Sequence, residues 1–502
     1  MTADKWSTQQ NAIFAFLLSL STAARNLVVR ARAGTGKTTT ILEGVRRLAA
    51  AAPSLSICLC AFNKRIAEEL THRLGSLPNA CAKTLHSLGY GCILPIWKGV
   101  KVDGRRSNLI ARRVCGEQAP KAVVKAVAKL AGLAKNMAPL LPYAESRKAE
   151  VLSTLLRIGA DFEVFPSDPL ECGEWTDEDI AEATARAVHA ATQQDGTIDF
   201  DDMVYLPLAL NLARGKFDVL LVDEAQDMNF AQLELARRLL RRGGSMAVIG
   251  DDRQACYGFR GADAGSLDRL KAELNAEELP LTTTYRCGKA IVALAARLVP
   301  DFAADARNPE GAVSNLKADK LLGAVAPGNF VLSRKNAPLM SICLQLLKQN
   351  VRAKIVGRDV GDTLAALVRR LGRQGDTGSL LSAIDRWEQK EVQVAVRTEN
   401  EARQQEATDK ADVLRALAED VETVDEVLAR IDVLFADLVA GQPIKSVVLS
   451  SIHKAKGLEA DKVFVLTDTL YPGKNGRGKI EEVNLDYIAT TRAKTELVLV
   501  AG

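Results

Sequence analysis

Leu27-Val-Val-Arg-Ala31-Arg-Ala-Gly-Thr-Gly-Lys-Thr38 runs from a short apolar stretch straight into a glycine turn that ends on a lysine and a hydroxyl. The strict phosphate-loop pattern asks for a glycine where Ala31 stands, so the motif is missed by one residue. The chemistry survives that departure. Gly34 and Gly36 let backbone N–H groups close on phosphate oxygens, Lys37 neutralises phosphate charge and Thr38 offers a hydroxyl to Mg2+. The helix that follows points its positive end at the anion.

A second half of such a site stands downstream, where an apolar run meets two acids in Val219-Leu-Leu-Val-Asp-Glu-Ala-Gln-Asp227. At the carboxyl end of a buried strand the two carboxylates suit different tasks. Asp223 holds Mg2+ through water, and Glu224 orients and deprotonates the attacking water that phosphoryl transfer requires.

Working outward, apolar runs recur at Leu55 to Ala61, Met246 to Ile249, Phe330 to Leu332, Val447 to Leu449, Val463 to Leu466 and Leu497 to Val500. Their alternation with helical patterns predicts two parallel sheets, each buried on both faces. Helix-rich stretches interrupt both groups, and one of them carries Leu414, Leu417, Val421, Val424, Leu428 and Ile431 at helical spacing. Arg397 to Lys410 is almost wholly polar and reads as a solvated helix or hairpin tip.

Composition narrows the class without naming it. The 502 residues, 47% of them hydrophobic, suffice for several cores, and 66 Lys and Arg against 62 Asp and Glu leave a net charge of only +4. A polyanionic partner must therefore be met by a local basic track. Nine scattered cysteines without a CxxC pair argue against a disulfide framework or structural zinc, and Cys58 and Cys60 read as strand residues. The best apolar run, Ala12 to Leu20, is too short to cross a bilayer, so a soluble, cytoplasmic protein is expected.

Taken in order from residue 6 to 500, these motifs and those below resemble the series of UvrD/Rep-type superfamily 1 (SF1A) helicases, in which the glycine missing at Ala31 is commonly absent. The resemblance implies an α/β fold of two RecA-like parallel-sheet P-loop NTPase lobes, each with an inserted helical subdomain. The first lobe is expected at 1–95 and 195–280, with its insertion at 96–194. The second is expected at 281–357 and 442–502, with a short insertion at 358–441.

It further implies an ATP site made by Gln10, Ala33, Gly34, Thr35, Gly36, Lys37, Thr38, Thr39, Tyr285, Arg286, Glu459 and Arg492. Gln10 resembles the adenine-reading glutamine, with Gln9 as an alternative, and Tyr285 of Thr284-Tyr-Arg286 the residue that stacks on the base. Glu459 matches the ribose contact. Arg286 and Arg492, the latter in Tyr487-Ile-Ala-Thr-Thr-Arg-Ala-Lys494, match the two arginines that reach the γ-phosphate. Gln254 of Gly250-Asp-Asp-Arg-Gln254 matches the sensor that couples that phosphate to DNA.

A motor that steps along a strand needs aromatics that stack on bases irrespective of sequence, with polar and basic groups on the backbone. Tyr257-Gly-Phe-Arg-Gly-Ala262 supplies Tyr257, Phe259 and Arg260 directly after Gln254. By resemblance Phe62 and Asn63 of Ala61-Phe-Asn-Lys64, His86 of Thr84-Leu-His-Ser87, Arg334 of Leu332-Ser-Arg-Lys335 and His453 of Ser451-Ile-His-Lys join them. Asp199-Phe-Asp-Asp202 also resembles a family signature, and helix capping accounts for it nearly as well.

The expectation is an ATP- and Mg2+-dependent motor on single-stranded and tailed duplex DNA, nucleoid-associated and of 3′→5′ polarity, in repair, replication or recombination. A protein partner or self-association for processive unwinding stays open. So do RNA as the strand, a translocase that strips proteins without unwinding, and a non-motor regulator. Two departures stand out. The second insertion is short, and Glu481-Glu-Val-Asn-Leu-Asp-Tyr487 lacks the paired basic residues common before the terminal tyrosine.

Overall fold

In the computed structural model, residues 6–75, 77–141, 148–166, 168–193, 196–255, 265–349, 351–356, 358–397, 401–434, 446–470 and 476–502 are described. The chain divides into two compact units, Met1–Thr282 and Thr283–Gly502.

The first unit is built on a six-stranded parallel sheet. Its strands are β1 (Leu27–Ala31), β2 (Ile57–Ala61), β3 (Ala80–Thr84), β4 (Phe217–Val222), β5 (Leu240–Gly250) and β6 (Glu277–Leu281), in the spatial order β3-β2-β4-β5-β1-β6. Val29 lies beside Ile249, and Leu221 beside both Leu59 and Ala247. Alternate side chains feed two cores. Leu27, Val29 and Leu59 pack under the helices Thr8–Ser19, Lys37–Ala51 and Lys64–Leu74. Val28, Cys58 and Cys60 face Leu85–Ile93, Phe200–Ala209, Phe230–Leu239 and Ser266–Leu274. Both faces are thereby covered, which is why the central strands read as unbroken apolar runs.

Between β3 and β4 the helices Arg106–Cys115, Lys121–Met137, Lys148–Asp161 and Asp177–Ala191 enclose a core of their own, with Val127, Leu155 and Val188 at its centre. The helix Phe200–Ala209 joins this core to the sheet, because Tyr205 and Leu206 point into the one while Val204 and Leu208 point into the other.

The Asp199-Phe-Asp-Asp202 signature fastens that junction. Asp199 Oδ1 accepts from Asp202 N at 2.8 Å and Asp202 Oδ2 accepts from Asp199 N at 3.0 Å, a reciprocal helix cap. The same carboxylates take two buried cations: Lys135 Nζ lies 3.2 Å from Asp199 and 2.8 Å from Asp202, and Arg106 pairs with Asp202. The capping reading is therefore half the account, the other half being an ionic anchor for the helical insertion.

The second unit repeats the sheet with β7 (Ala312–Lys317), β8 (Phe330–Ser333), β9 (Ala353–Ile355), β10 (Val447–Ser451), β11 (Ala460–Leu466) and β12 (Ala493–Ala501). All are parallel, in the order β7-β12-β11-β8-β10-β9. The helices Arg358–Leu371, Thr377–Arg397, Glu401–Ala418 and Val424–Leu434 lack a core of their own among the described residues. Val368, Leu414 and Ile431 belong to one cluster with Val331, Val447 and Leu449 of the sheet. The apolar series from Leu414 to Ile431 is one periodic pattern in sequence but two helices in space. Asp420, with φ of 61°, stands in the left-handed region between them.

Removing one partner of a buried, hydrogen-bonded ion pair strands the other charge, at a cost of about 3–5 kcal/mol. Asp202→Ala is therefore expected to lower the thermal unfolding midpoint by several degrees, whereas Asp161→Ala, on an exposed pair with Arg157, leaves it in place. Equal midpoints for the two variants would show that the anchor carries no stability.

Candidate functional site

Because every strand of the first sheet runs the same way, the loops that follow them emerge at one edge, the usual binding edge of an open α/β sheet. From β1 comes the phosphate loop. Gly34 and Gly36 have φ of 69° and 80°, a conformation that glycine adopts without steric cost. Gly36 directly precedes the helix Lys37–Ala51. The loop is tied at its start, with Arg32 N donating to Leu281 O on β6 at 2.9 Å and Thr35 Oγ1 donating to Arg32 O at 2.9 Å. Ala33 is buried and Thr39 exposed.

The loop and β4 bring four predicted residues together. Thr38 Oγ1 donates to Asp223 Oδ2 at 3.2 Å, and Lys37 Nζ lies 4.0 Å from Glu224 Oε1. Burial, then the neighbouring Glu224 charge, push the Asp223 carboxyl up to about 6 against the pull of Lys37. A buried carboxylate beside a second one and a hydroxyl is a set of hard oxygen donors in need of a cation, and it fits Mg2+. Glu224 takes φ 53°, ψ 41°, a left-handed conformation that costs a non-glycine residue about 1–3 kcal/mol and that clusters at functional sites.

From β5 comes the third loop. Gln254 Nε2 donates to Asp251 Oδ2 at 2.6 Å, and both residues are buried. Burial pushes the Asp251 carboxyl up, against the pull of Lys37 and Arg32. Two residues that sequence reading passed over complete the arrangement. Gln226 accepts from Asp251 N at 3.0 Å through its Oε1 and donates to Glu224 Oε2 at 2.6 Å through its Nε2. Arg32 Nη1 reaches Asp251 Oδ1 at 3.3 Å and Asp252 Oδ1 at 2.6 Å. Both stand inside the quoted motif stretches, but neither residue type there points to a partner on a third loop.

Both glutamines near the N-terminus are engaged. Gln10 is buried against the loop: its Oε1 accepts from Ser7 N at 3.0 Å and its Nε2 donates to Thr40 Oγ1 at 2.9 Å. Gln9 clasps Thr282, accepting from its N–H and donating to its Oγ1, both at 3.0 Å.

The loops after β2 and β3 carry the predicted strand contacts. Phe62 is 43% exposed, and the exposed Asn63 caps the helix Lys64–Leu74 through Oδ1. One crevice is lined by Phe62, His86, Asp223, Glu224 and Asp227, so nucleic-acid and nucleotide candidates meet there. Tyr257, Phe259 and Arg260 lie outside the described residues.

In the second unit the candidates separate onto opposite edges. Glu459 and Arg492 stand just before the paired starts of β11 and β12, where Ala460 lies beside Ala493. Arg286 Nε meets Glu459 Oε2 at 2.6 Å, and Lys494 meets Oε1 at 2.9 Å. Burial opposes charge on Glu459, yet Arg286 and Lys494 hold its carboxyl low. Arg492 is buried and donates to Ile488 O at 3.0 Å and Leu458 O at 3.1 Å, with burial and then Arg286 drawing it down to about 10. Tyr285 is 37% exposed, its ring 5.9 Å from the Arg307 guanidinium. At the far edge, after β8 and β10, Arg334 Nε donates to Glu482 Oε1 at 3.0 Å and His453 Nε2 lies 3.9 Å from Glu481 Oε1.

Comparison with known proteins gives this arrangement its kinship. The UvrD/REP helicase N-terminal domain profile matches residues 14–275, and the UvrD-like helicase C-terminal domain profile matches 386–501. F-box DNA helicase protein 1 of Schizosaccharomyces pombe is 24% identical over 94% of this chain and 55% of its own length. ATP-dependent DNA helicase UvrD2 of Mycobacterium tuberculosis is 25% identical over 94% of this chain and 76% of its own. The Rep helicase of Buchnera aphidicola subsp. Baizongia pistaciae is 32% identical over 22% of this chain and 18% of its own. The chain thus spans about half the length of the first of these and under a fifth of the last. Since the N-terminal profile alone takes in more than half of the 502 residues, and the C-terminal profile follows in order, the chain belongs to the UvrD/Rep helicase family.

Proposed function

We propose that this chain is an ATP-driven motor that moves 3′→5′ along single-stranded DNA and separates duplexes ahead of it. The observation that carries the reading is the single sheet edge at which Lys37, Thr38, Asp223, Glu224 and Gln254 stand beside Phe62 and His86. Hydrolysis and strand contact brought to one edge of a sheet are what a stepping motor needs. The names of the relatives, all DNA helicases, favour DNA over RNA as the strand.

Phosphoryl transfer asks the protein for position and charge rather than covalent chemistry. In this reading Lys37 and the loop amides hold the phosphates, Glu224 orients and deprotonates the attacking water, and Gln254 reads the γ-phosphate. Gln10 or Gln9 reads adenine, Tyr285 stacks on it and Glu459 meets the ribose. Arg286 and Arg492 supply the positive charge that grows valuable as the γ-phosphoryl leaves, worth roughly 10³–10⁵ in rate for such arginines. Thr38 and Asp223 would hold Mg2+, which when bound would supply positive charge to the phosphates. Single-stranded and tailed duplex DNA are the partners, in the nucleoid.

A translocase that strips bound proteins without unwinding is the second reading. It draws on the helices of 358–434, which share the sheet's core instead of standing apart. Strand displacement on duplexes with a three-prime or a five-prime tail, with ATP turnover recorded alongside, decides between them. Unwinding from the three-prime tail alone is expected; turnover without unwinding selects the translocase, and unwinding from the five-prime tail alone reverses the polarity.

Lys37→Ala and Glu224→Gln are each expected to abolish turnover while oligonucleotide binding, read by fluorescence anisotropy, stays within about threefold of wild type. Loss of binding in both would contradict the division between hydrolysis and grip.

Arg334 meets DNA, on this reading, only by leaving Glu482. A partly exposed ion pair is worth about 1 kcal/mol or less, so Glu482→Gln should tighten single-strand affinity by about two- to fivefold and steepen its salt dependence. An unchanged affinity would take Arg334 out of the interface.

A further inference from the structure

We propose that Arg32 is a positioning residue that holds Gln254 and, through Asp251 and Gln226, Glu224 in register with the phosphate loop; the assignment rests on the ATP-site reading above. Arg32 lies inside the loop, yet its buried guanidinium is committed to carboxylates of the next strand's loop, Asp251 at 3.3 Å and Asp252 at 2.6 Å. It is thus oriented as a brace rather than as a phosphate ligand. From Asp251 two branches run on. The carboxylate accepts from Gln254 Nε2 at 2.6 Å, and the backbone N–H donates to Gln226, which donates in turn to Glu224 at 2.6 Å. Asp252 is held from its other side by Arg30 of β1 at 3.3 Å.

The energetics favour a positioning role over a merely stabilising one. Taking a guanidinium and two carboxylates out of water costs about what their attraction returns, and apolar replacements of such groups are often neutral or stabilising. What the pair supplies is direction. The Arg32 backbone is fixed by Leu281 O and Thr35 Oγ1, so when the loop amides close on phosphate the displacement is passed to Asp251 along a side chain buried at both ends. A general base and a sensor displaced by as little as about 1 Å can lose a hundredfold in rate.

The test is steady-state ATP hydrolysis with saturating single-stranded DNA, with thermal unfolding recorded for each variant. Arg32→Met should lower kcat by about tenfold or more, leave KM for ATP within about threefold, and keep or raise the unfolding midpoint. Arg32→Lys should recover part of kcat, since an ammonium meets one carboxylate but not the fork. Asp252→Asn removes the charge at the shorter of Arg32's two contacts and should lower kcat in the same sense, and the double variant should lose no more than the worse single one.

Unchanged kcat in Arg32→Met and Asp252→Asn, or a loss confined to KM, overturns the assignment. So does a kcat loss that tracks a lowered midpoint without rescue by lysine. Lys37→Ala separates the two layers. If it abolishes turnover while Arg32→Met behaves as wild type, only the Arg32 role falls. If it leaves turnover intact, the ATP-site reading fails and takes the Arg32 role with it.

Discussion

Asp251 carries its carboxylate at the end of the central strand β5 with no exposure to solvent, and keeping a charge there sets conditions on everything around it. Burial alone would neutralise it. It stays useful as an acceptor because Arg32 arrives from the phosphate loop and Gln254 from its own loop, with Lys37 near enough to pull its proton affinity down. Its backbone N–H is meanwhile spent on Gln226, whose other end fixes Glu224. Three loops from three adjacent strands, β4, β5 and β1, therefore converge on one buried acid. The left-handed Glu224 is held within the same arrangement, where the surroundings can overcome its cost.

The direction of the strands does the rest of the placing. In the first unit the nucleotide and nucleic-acid candidates share the carboxyl edge, because β1, β4 and β5 deliver one set and β2 and β3 the other. In the second unit the same parallel architecture separates them. Arg286, Glu459 and Arg492 gather where β11 and β12 begin, while Arg334 and His453 follow the ends of β8 and β10. One sheet thus has its two edges occupied by different chemistry, with a rigid apolar layer between them. Val498, Phe464 and Val331 of that layer are buried in one core.

Much of this was legible in sequence, and what was not has a physical pattern. Each apolar run read as a strand overlaps one, because central parallel strands are covered on both faces and must be apolar throughout, whereas Ala12 to Leu20 overlaps the helix Thr8–Ser19. Of the strands in the two six-stranded sheets, those left unread, Ala80–Thr84, Glu277–Leu281, Ala312–Lys317 and Ala353–Ile355, are the edge strands. Edge strands are half solvated, so they tolerate Lys83, Glu277, Pro280 and Asn315 and lose the apolar signature. The phosphate loop and the acidic pair were readable because their chemistry is local in sequence. Arg32 and Gln226 were not, since the contact of each with Asp251, distant in sequence, is made only by the fold.

The acidic pair Glu481 and Glu482 shows how a departure from pattern becomes interpretable once its neighbours are known. In sequence it is a missing pair of cations; in space its carboxylates face the two groups expected to grip the strand, Arg334 and His453. On the proposed reading, a phosphate arriving at Arg334 would exchange one anionic partner for another, so the contact would add little net binding energy even though it fixed register. Affinity for a polyanion grows with each uncompensated cation through counterion release, and a site whose arginine is already paired forgoes part of that gain. For a motor this is no defect. On the motor reading proposed above, each step would require the second unit to let go, and the barrier to letting go would fall because the Glu482 carboxylate stands ready to receive the Arg334 guanidinium that the phosphate leaves behind.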